Sequence, residues 1–136
     1  MIDTDVLILA ERGRRVVDFS AWQDYGEAFI SAVTASELLV GVQRAQTQAQ
    51  RARRTAFVEA ILASIPALPF DLETARVHAQ LLADLPRHET VGAHDVLIAA
   101  CAVSHGFPVL TCNGRDFRKL AGVTVLDYPH LDVNAA

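Results

Sequence analysis

The sequence predicts an α/β fold, a single-domain α/β/α sandwich in which helices cover both faces of a central, mostly parallel sheet of short strands. Short apolar runs alternate along the chain with segments of helical periodicity, as in parallel α/β proteins. The runs are apolar at consecutive positions, which is typical of strands buried on both faces. The chain has 136 residues, 51% hydrophobic and 21% charged, so we expect residues 1–136 to form one domain.

The first third of the chain is predicted to contain two short strands, each leading into a helix. Only Met1 and Ile2 precede Asp3, so we expect the first strand to be short. Thr34 and Glu37 have the spacing of a capping box, which indicates a helix start. The predicted elements are a strand that turns into a helix over 1–9 and ends at Gly13, a short helix over 16–25, a strand over 28–33, and a helix from Thr34 to Gly41 or beyond.

The rest of the chain repeats this alternation. Residues 45–64 have the clearest amphipathic pattern, with apolar side chains at helical spacing. Those side chains are Ala45, Ala49, Ala52, Ala56, Phe57, Ala60 and Ile61. The predicted elements that follow are a strand over 67–70, a helix capped by Asp71 and running to Leu85, a largely buried helix over 93–105, a strand over 108–111, a helix over 116–120 and a strand over 123–126.

Composition and charge exclude several classes of protein. No apolar run approaches the 18 or so residues of a membrane span, and the acidic N-terminus is unlike a secretory signal, so we expect a cytoplasmic protein. Cys101 and Cys112 do not form a disulfide framework and read as reduced thiols. The net charge of −4 disfavours nucleic-acid binding in itself, but the arginines are clustered. The clusters are Arg12, Arg14 and Arg15, and Arg44, Arg51, Arg53 and Arg54; a solvated helix face is the default interpretation of the second.

The most specific feature of the sequence is a set of acidic residues near predicted strand ends. Asp3, with Asp5 two residues later, follows the first strand, Glu37 follows the second, and Asp116 follows the strand at 108–111. Asp95 begins the apolar helix instead. Because the carboxyl ends of parallel strands share one edge of the sheet, we expect these acids to converge there.

Each acid also has a purely structural explanation. Asp5, Asp95 and Asp116 are in positions typical of helix N-caps, and Glu37 is the capping-box partner of Thr34. The joint pattern favours a shared site, because carboxylates gathered in a partly buried cleft repel one another and a bound cation relieves that repulsion. Carboxylate oxygens suit Mg²⁺ or Mn²⁺.

Four segments of the sequence resemble the PIN-domain ribonucleases, and within them the small VapC toxins of bacterial type II toxin–antitoxin modules. They occur in the order and near the spacing of that family, and they span almost the whole chain. The segments are Ile2-Asp3-Thr4-Asp5-Val6-Leu7-Ile8, Thr34-Ala35-Ser36-Glu37-Leu38-Leu39-Val40-Gly41, His94-Asp95-Val96-Leu97-Ile98-Ala99-Ala100 and Leu110-Thr111-Cys112-Asn113-Gly114-Arg115-Asp116-Phe117.

The resemblance implies an active site and a reaction. Asp3, Glu37, Asp95 and Asp116 match the four acidic active-site positions of the family and are the implied Mg²⁺ or Mn²⁺ ligands, with Glu37 either a ligand or a base. The family cleaves RNA phosphodiesters. A water molecule activated by the metal would attack phosphorus and leave a 5′-phosphate and a 3′-hydroxyl.

The resemblance also implies supporting residues and partners. Thr4 and Thr111 match the hydroxyl residues of the site, Asn113 a polar residue of the last motif, and Asp5 a position that commonly holds Ser, Asn or Asp. The implied partners are an RNA substrate, a cognate antitoxin protein whose tail places a basic side chain among the acids, and a second copy of the chain in a homodimer.

Other functions have weaker support in the sequence. A PIN fold kept only for binding is one alternative, although all four acids are present. A haloacid-dehalogenase-type phosphatase is another, because Asp3 and Asp5 have its Asp-x-Asp spacing. That family requires a lysine downstream, but the sole lysine, Lys119, lies too far along the chain to match it. The five histidines match no zinc motif, and His94 reads as a surface or cap residue. Phe19, Trp22 and Tyr25 read as core, or alternatively as a groove for a partner helix.

Overall fold

A computed structural model describes residues 1–13 and 20–128 of the chain. Its elements are short strands followed by helices, as the apolar alternation predicts. The strands are β1 (Ile30–Ser31), β2 (Ala67–Leu68), β3 (Val109–Thr111) and β4 (Val125–Asp127). The helices are α1 (Thr4–Arg12), α2 (Ala32–Gln43), α3 (Gln48–Ser64), α4 (Leu72–Asp84), α5 (Ala93–Ser104) and α6 (Gly114–Phe117), with a 3₁₀ helix over Ser20–Tyr25.

The strands form two parallel pairs, β1 with β2 and β3 with β4. Residues 1–3 lie between the pairs and join them. Ile2 N–H donates to the Phe29 carbonyl on one side, and Leu110 N–H donates to the Met1 carbonyl on the other. The N-terminal segment is as short as predicted, since it contributes a single bridge between Ile2 and Leu110. The carboxyl ends of the two pairs therefore meet at Asp3.

Hydrophobic side chains pack on both faces of this strand layer. Met1 and Val109 contribute to one core, with side chains of α4, α5 and α6. Their chain neighbours Ile2 and Leu110 contribute to the other core, with side chains of α1, α2 and α3. Successive strand residues alternate between faces, so both faces are buried and the predicted α/β/α arrangement is confirmed.

Two helix starts differ from the prediction. Helix α2 begins at Ala32 with Ser31 as its cap, because Ser31 Oγ accepts from Val33 N–H, so the prediction of Thr34 as the cap was wrong. Helix α6 begins at Gly114 instead of residue 116. Asp71 caps α4 as predicted, by accepting from Thr74 N–H. The helix predicted over 16–25 is described only from Ser20 onwards.

Helix α3 exists, but only Phe57 and Ile61 of its predicted apolar face pack against the protein. Ala49, Ala52, Ala56 and Ala60 are exposed. Its buried residues are Val58 and Ile61. Alanine contributes little apolar area, so the two larger side chains decide which face packs on the protein. Across residues 1–13 and 20–128, no helix combines the length and the apolar character that crossing a bilayer requires.

Candidate active site

Asp3 lies where the N-terminal strand segment becomes α1. Its backbone N–H donates to the Leu110 carbonyl at 2.9 Å, which holds it beside β3. The residue is only 1% exposed, and Thr111 Oγ1 donates to Asp3 Oδ2 at 2.8 Å. Asp3 Oδ1 is buried and has no hydrogen-bond partner in the described part of the chain. An unpartnered buried carboxylate oxygen is costly, so this atom marks a position suited to an external ligand.

Asp95 and Asp116 are linked by an amide. Asp95 lies in the first turn of α5 and Asp116 in α6. Asn113 Nδ2 lies 3.3 Å from Asp95 Oδ2 and 3.1 Å from Asp116 Oδ2, and donates to both. Lys119 Nζ lies 3.1 Å from Asp116 Oδ1. Both oxygens of Asp116 are therefore occupied by protein donors, whereas the described residues donate a single hydrogen bond to Asp95, on Oδ2.

Glu37 of α2 is held by side chains from two other helices, α1 and α5. Thr4 Oγ1 lies 2.9 Å from Glu37 Oε1 and 3.0 Å from Thr34 Oγ1. His94 Nδ1 lies 3.3 Å from Glu37 Oε2. Thr4 and Thr34 are buried, Glu37 is partly exposed and His94 is exposed. The network fixes the Glu37 carboxylate at the partly open side of the site.

The carboxylates perturb one another electrostatically. Burial, together with the negative charges of Asp5 and Asp95, raises the pKa of Asp3 from its ordinary 3.8 to about 7. Burial, followed by the charge of Asp5 and those of Glu37 and Asp116, raises the pKa of Asp95. Hydrogen bonds from Asn113 and Lys119 lower the pKa of Asp116. The structure therefore brings Asp3, Asp5, Glu37 and Asp116 within electrostatic reach of Asp95.

None of the structural explanations for single acids holds. The cap positions of α1, α5 and α6 are occupied by Asp3, Gly92 and Asn113, so the alternative assignment of Asp5, Asp95 and Asp116 as caps was wrong. The Asp3 side chain makes no capping hydrogen bond either. These acids are thus not explained by local helix chemistry.

The carboxylate oxygens of the site are suited to a hard divalent cation, although their present positions do not form a complete coordination sphere. Within residues 1–13 and 20–128, no group of three or more His, Cys, Asp or Glu side chains is already arranged to hold a metal ion. The unpartnered Asp3 Oδ1 and the mutual repulsion of Asp3 and Asp95 are the features that a cation would relieve. The four acids offer only oxygen donors, which Mg²⁺ and Mn²⁺ prefer.

Three residues of the site were missed or underestimated in the sequence. Thr34 was interpreted as a cap and instead contacts Thr4. His94 was interpreted as a surface or cap residue and contacts Glu37. Lys119 pairs with both Asp116 and Glu89. Its spacing of three residues from Asp116 on the predicted helix was the one available signal.

Cys112 adjoins Asn113 of the site, whereas Trp22 and Tyr25 of the aromatic cluster line a cavity that none of the four acids lines. Burial and the charges of Asp5 and Asp3 raise the pKa of the Cys112 thiol to about 11, which agrees with a packing role. Trp22 stacks on Tyr128 with ring centroids 5.2 Å apart, but Tyr25 is 60% exposed, so its assignment to the core was wrong. Both Trp22 and Tyr25 line an apolar cavity of about 340 Å³. Phe19, Arg14 and Arg15 lie outside the described residues.

Comparison with known proteins agrees with the fold. The family model described as "PIN domain" matches residues 1–123. The chain therefore belongs to the PIN domain family.

Its relatives within that family are VapC ribonucleases. The chain is 39% identical to Ribonuclease VapC1 of Rickettsia felis over 127 residues, which are 93% of each chain. Among solved structures, VapBC-5 of Mycobacterium tuberculosis, a member of the VapBC family of toxin–antitoxin systems, is 32% identical with a TM-score of 0.72, covering 93% of this chain and 94% of that one. DNA-bound VapBC of Salmonella typhimurium is 27% identical with a TM-score of 0.81, covering 93% and 96%. The predicted resemblance to the VapC group is confirmed.

Proposed function

We propose that this protein is a metal-dependent endoribonuclease and the toxin of a type II toxin–antitoxin pair. The observation that carries the proposal is the buried Asp3 carboxylate, whose Oδ1 has no partner among the described residues and whose pKa is raised to about 7. Such a group is expensive to keep ionised unless a cation binds it. Membership of the VapC group supports the choice of RNA as the substrate.

Asp3 and Asp95 are the acids that would hold the cation directly. Asp3 Oδ1 is unpartnered, and Asp95 receives its one hydrogen bond on Oδ2. Asp116 would act at longer range, because Asn113 and Lys119 occupy its oxygens. When bound, Mg²⁺ or Mn²⁺ supplies Lewis-acid stabilisation of the phosphoryl oxygens and lowers the pKa of the attacking water.

Glu37 would accept the proton of the attacking water. Its two oxygens already contact Thr4 and His94, which favours a positioned base over a metal ligand. Thr111 holds Asp3 Oδ2 and so keeps Oδ1 directed at the site. Attack of water on phosphorus would release the 3′-oxygen with a proton, leaving a 5′-phosphate and a 3′-hydroxyl. The 2′-hydroxyl takes no part in this reaction.

The proposed partner is a cognate antitoxin protein. A basic side chain from such a protein would lie favourably among Asp3, Asp95 and Glu37, since their charges repel one another. It would thereby compete with the cation for the same oxygens. A homodimer is also proposed, on the strength of the family alone.

The proposal is tested by cleavage of a mixed set of structured RNAs by the purified, antitoxin-free protein. Cleavage is measured with Mg²⁺ or Mn²⁺, with EDTA, and with Asp3→Asn and Asp95→Asn. Asp24→Asn is the matched control, because Asp24 is an exposed acid in the 3₁₀ helix. We expect metal-dependent products with 5′-phosphates from the unchanged protein and the control, and none from the two site variants. Cleavage that persists in EDTA would contradict the proposal, and a folded protein that cuts no RNA would favour a PIN fold kept for binding.

A further inference from the structure

A cationic groove runs between the last turn of α1 and the first half of α3. We call it the arginine groove, and it encloses a cavity of about 500 Å³. Its lining residues are Glu11, Arg12, Gln50, Arg53, Arg54 and Phe57. The whole chain has a net charge of −4, so three arginines facing one glutamate reverse the charge locally. A concentration of arginine on an acidic protein indicates an anionic ligand.

Arg12 joins this groove to the acidic cluster. It lines a second cavity of about 120 Å³ that Glu37 and Arg54 also line. It lines a third cavity, of about 530 Å³, together with Asp5 and Asn113. The arginine groove and the candidate active site therefore form one continuous surface with Arg12 at the junction.

Within residues 1–13 and 20–128, none of the three arginines of the groove forms an ion pair with an acid. Among the residues that the structure describes, the ion pairs involve other cations, namely His88, His94, Arg118 and Lys119. Arg54 Nη1 donates to the Gly41 carbonyl at 2.8 Å, which anchors one end of its guanidinium and uses only one of five N–H groups. Clustered guanidinium groups repel one another, and a polyanion relieves that repulsion.

An aromatic side chain accompanies the arginines. Phe57 is half-buried and lines both the arginine groove and the adjoining cavity beside Glu37. Aromatic rings next to cationic groups are the usual platform for the bases of single-stranded nucleic acid, because every base has a face that stacks. A phosphate-binding groove with such a ring matches the chemistry of an RNA strand.

We infer that the arginine groove binds single-stranded RNA next to the bond that is cut, with Arg12, Arg53 and Arg54 on the phosphates. Arg12 then contacts the RNA between the groove and the acids, and the Phe57 ring provides a surface on which a base stacks. This inference rests on the proposed function, since it assigns a path to the same substrate. An acidic peptide would also bind arginines, but it would not explain why the groove is continuous with the nuclease site.

Binding in the absence of cleavage tests the inference separately from the proposed function. The antitoxin-free full-length chain is titrated in EDTA onto a fluorescein-labelled single-stranded RNA of about 12 nucleotides, across a range of salt concentrations. The variants are Arg12→Gln and Arg53→Gln. Arg76→Gln is the matched control, because Arg76 is exposed on α4, which packs on the other face of the strand layer.

We expect each groove variant to bind this RNA about fivefold more weakly and to lower the salt slope by about 0.7, the loss of one phosphate contact on a single strand. The control is expected to match the unchanged protein. Equal affinity and equal slope in all variants would overturn the inference, as would the absence of RNA binding by the unchanged protein at low salt. If the groove variants keep RNA binding but lose binding to a glutamate-rich peptide, the groove belongs to a protein partner and the inference is wrong. None of these overturning outcomes affects the test of the acids by metal-dependent cleavage.

Discussion

Asp3 and Asp116 lie in the same acidic cluster, yet the protein treats their charges in opposite ways. Asp3 is buried, has one oxygen without a partner in the described residues, and has a pKa raised to about 7. Asp116 is partly exposed and accepts hydrogen bonds from Asn113 and Lys119, which lower its pKa. The protein thus compensates the charge of Asp116 itself and leaves the charge of Asp3 uncompensated.

This difference indicates two roles among the acids of the site, direct binding of a cation and support of the residues that bind it. A bound cation stabilises a carboxylate most where the protein supplies the fewest hydrogen bonds and positive charges. The region of Asp3 and Asp95 is therefore the expected site of cation binding. The region of Asp116, Asn113 and Lys119 supports the site from outside, in the way that outer partners orient metal ligands. The predictions below change one side of this comparison at a time, and the largest expected effect comes first.

The pH dependence of stability is expected to reveal the uncompensated charge of Asp3. Between pH 4 and pH 7 the folded chain holds a proton on Asp3 that the unfolded chain has released, because the pKa is about 7 when folded and 3.8 ordinarily. The free energy of unfolding should therefore decrease as the pH rises through this window, by up to roughly 4 kcal/mol. Urea unfolding in EDTA, followed by circular dichroism at several pH values, measures it.

Asp3→Asn is the variant that isolates this effect. Asparagine keeps the shape of the side chain and cannot ionise, so the decrease between pH 4 and pH 7 should become much smaller. Asp95, whose pKa is also raised, retains its own contribution in the same direction. Parallel stability curves for the unchanged protein and Asp3→Asn would show that the Asp3 charge is not destabilising.

Cleavage activity is expected to separate the two acids. Asp3→Asn should lower the rate of RNA cleavage about 100-fold or more, and Asp116→Asn about tenfold, since loss of a direct ligand exceeds loss of an outer partner. Rates are compared at saturating Mn²⁺ on one RNA, with Asp24→Asn as the control. Equal losses in both variants would remove the distinction between the two regions.

Thr111→Val is expected to cost about 2 kcal/mol of stability. The Thr111 hydroxyl donates to Asp3 Oδ2 at 2.8 Å and accepts from Asn113 N–H at 2.8 Å. Valine keeps the volume but leaves both groups without that partner. Thermal unfolding in EDTA measures the loss, and a variant as stable as the unchanged protein would show that water replaces the hydroxyl at both groups.

Lys119→Gln is expected to have the smallest effect, on metal affinity. Lys119 is partly exposed and its charge lies beside Asp116, so its removal leaves more negative charge near the proposed cation site. We expect Mn²⁺ to bind a few-fold more tightly, in keeping with about 1 kcal/mol or less for an exposed ion pair. Calorimetric titration measures the affinity, and weaker binding would show that Lys119 orders the site by holding Asp116.

The acids were predictable because topology places them. Asp3 and Asp116 follow strands that run in parallel, and the carboxyl ends of such strands share one edge, so their convergence required only the strand order. Asp95 reaches them from the first turn of α5. Thr34 and His94 were assigned to other roles because neither has a periodic signal, and their contacts with Thr4 and Glu37 exist only across packed helices.

The order of strands and helices, the two-sided burial of β3 and the set of acids were determined by the sequence alone, because apolar runs and strand-end positions are local patterns. Tertiary structure decided which face of α3 is buried and which acids are neutralised. Both depend on neighbours distant in the chain: Val58 and Ile61 outweigh the alanines only against a core, and Asp3 has its raised pKa only once folding buries it next to Asp95. The free-energy cost of ionising Asp3 arises only on folding, so the sequence around Asp3 does not predict it.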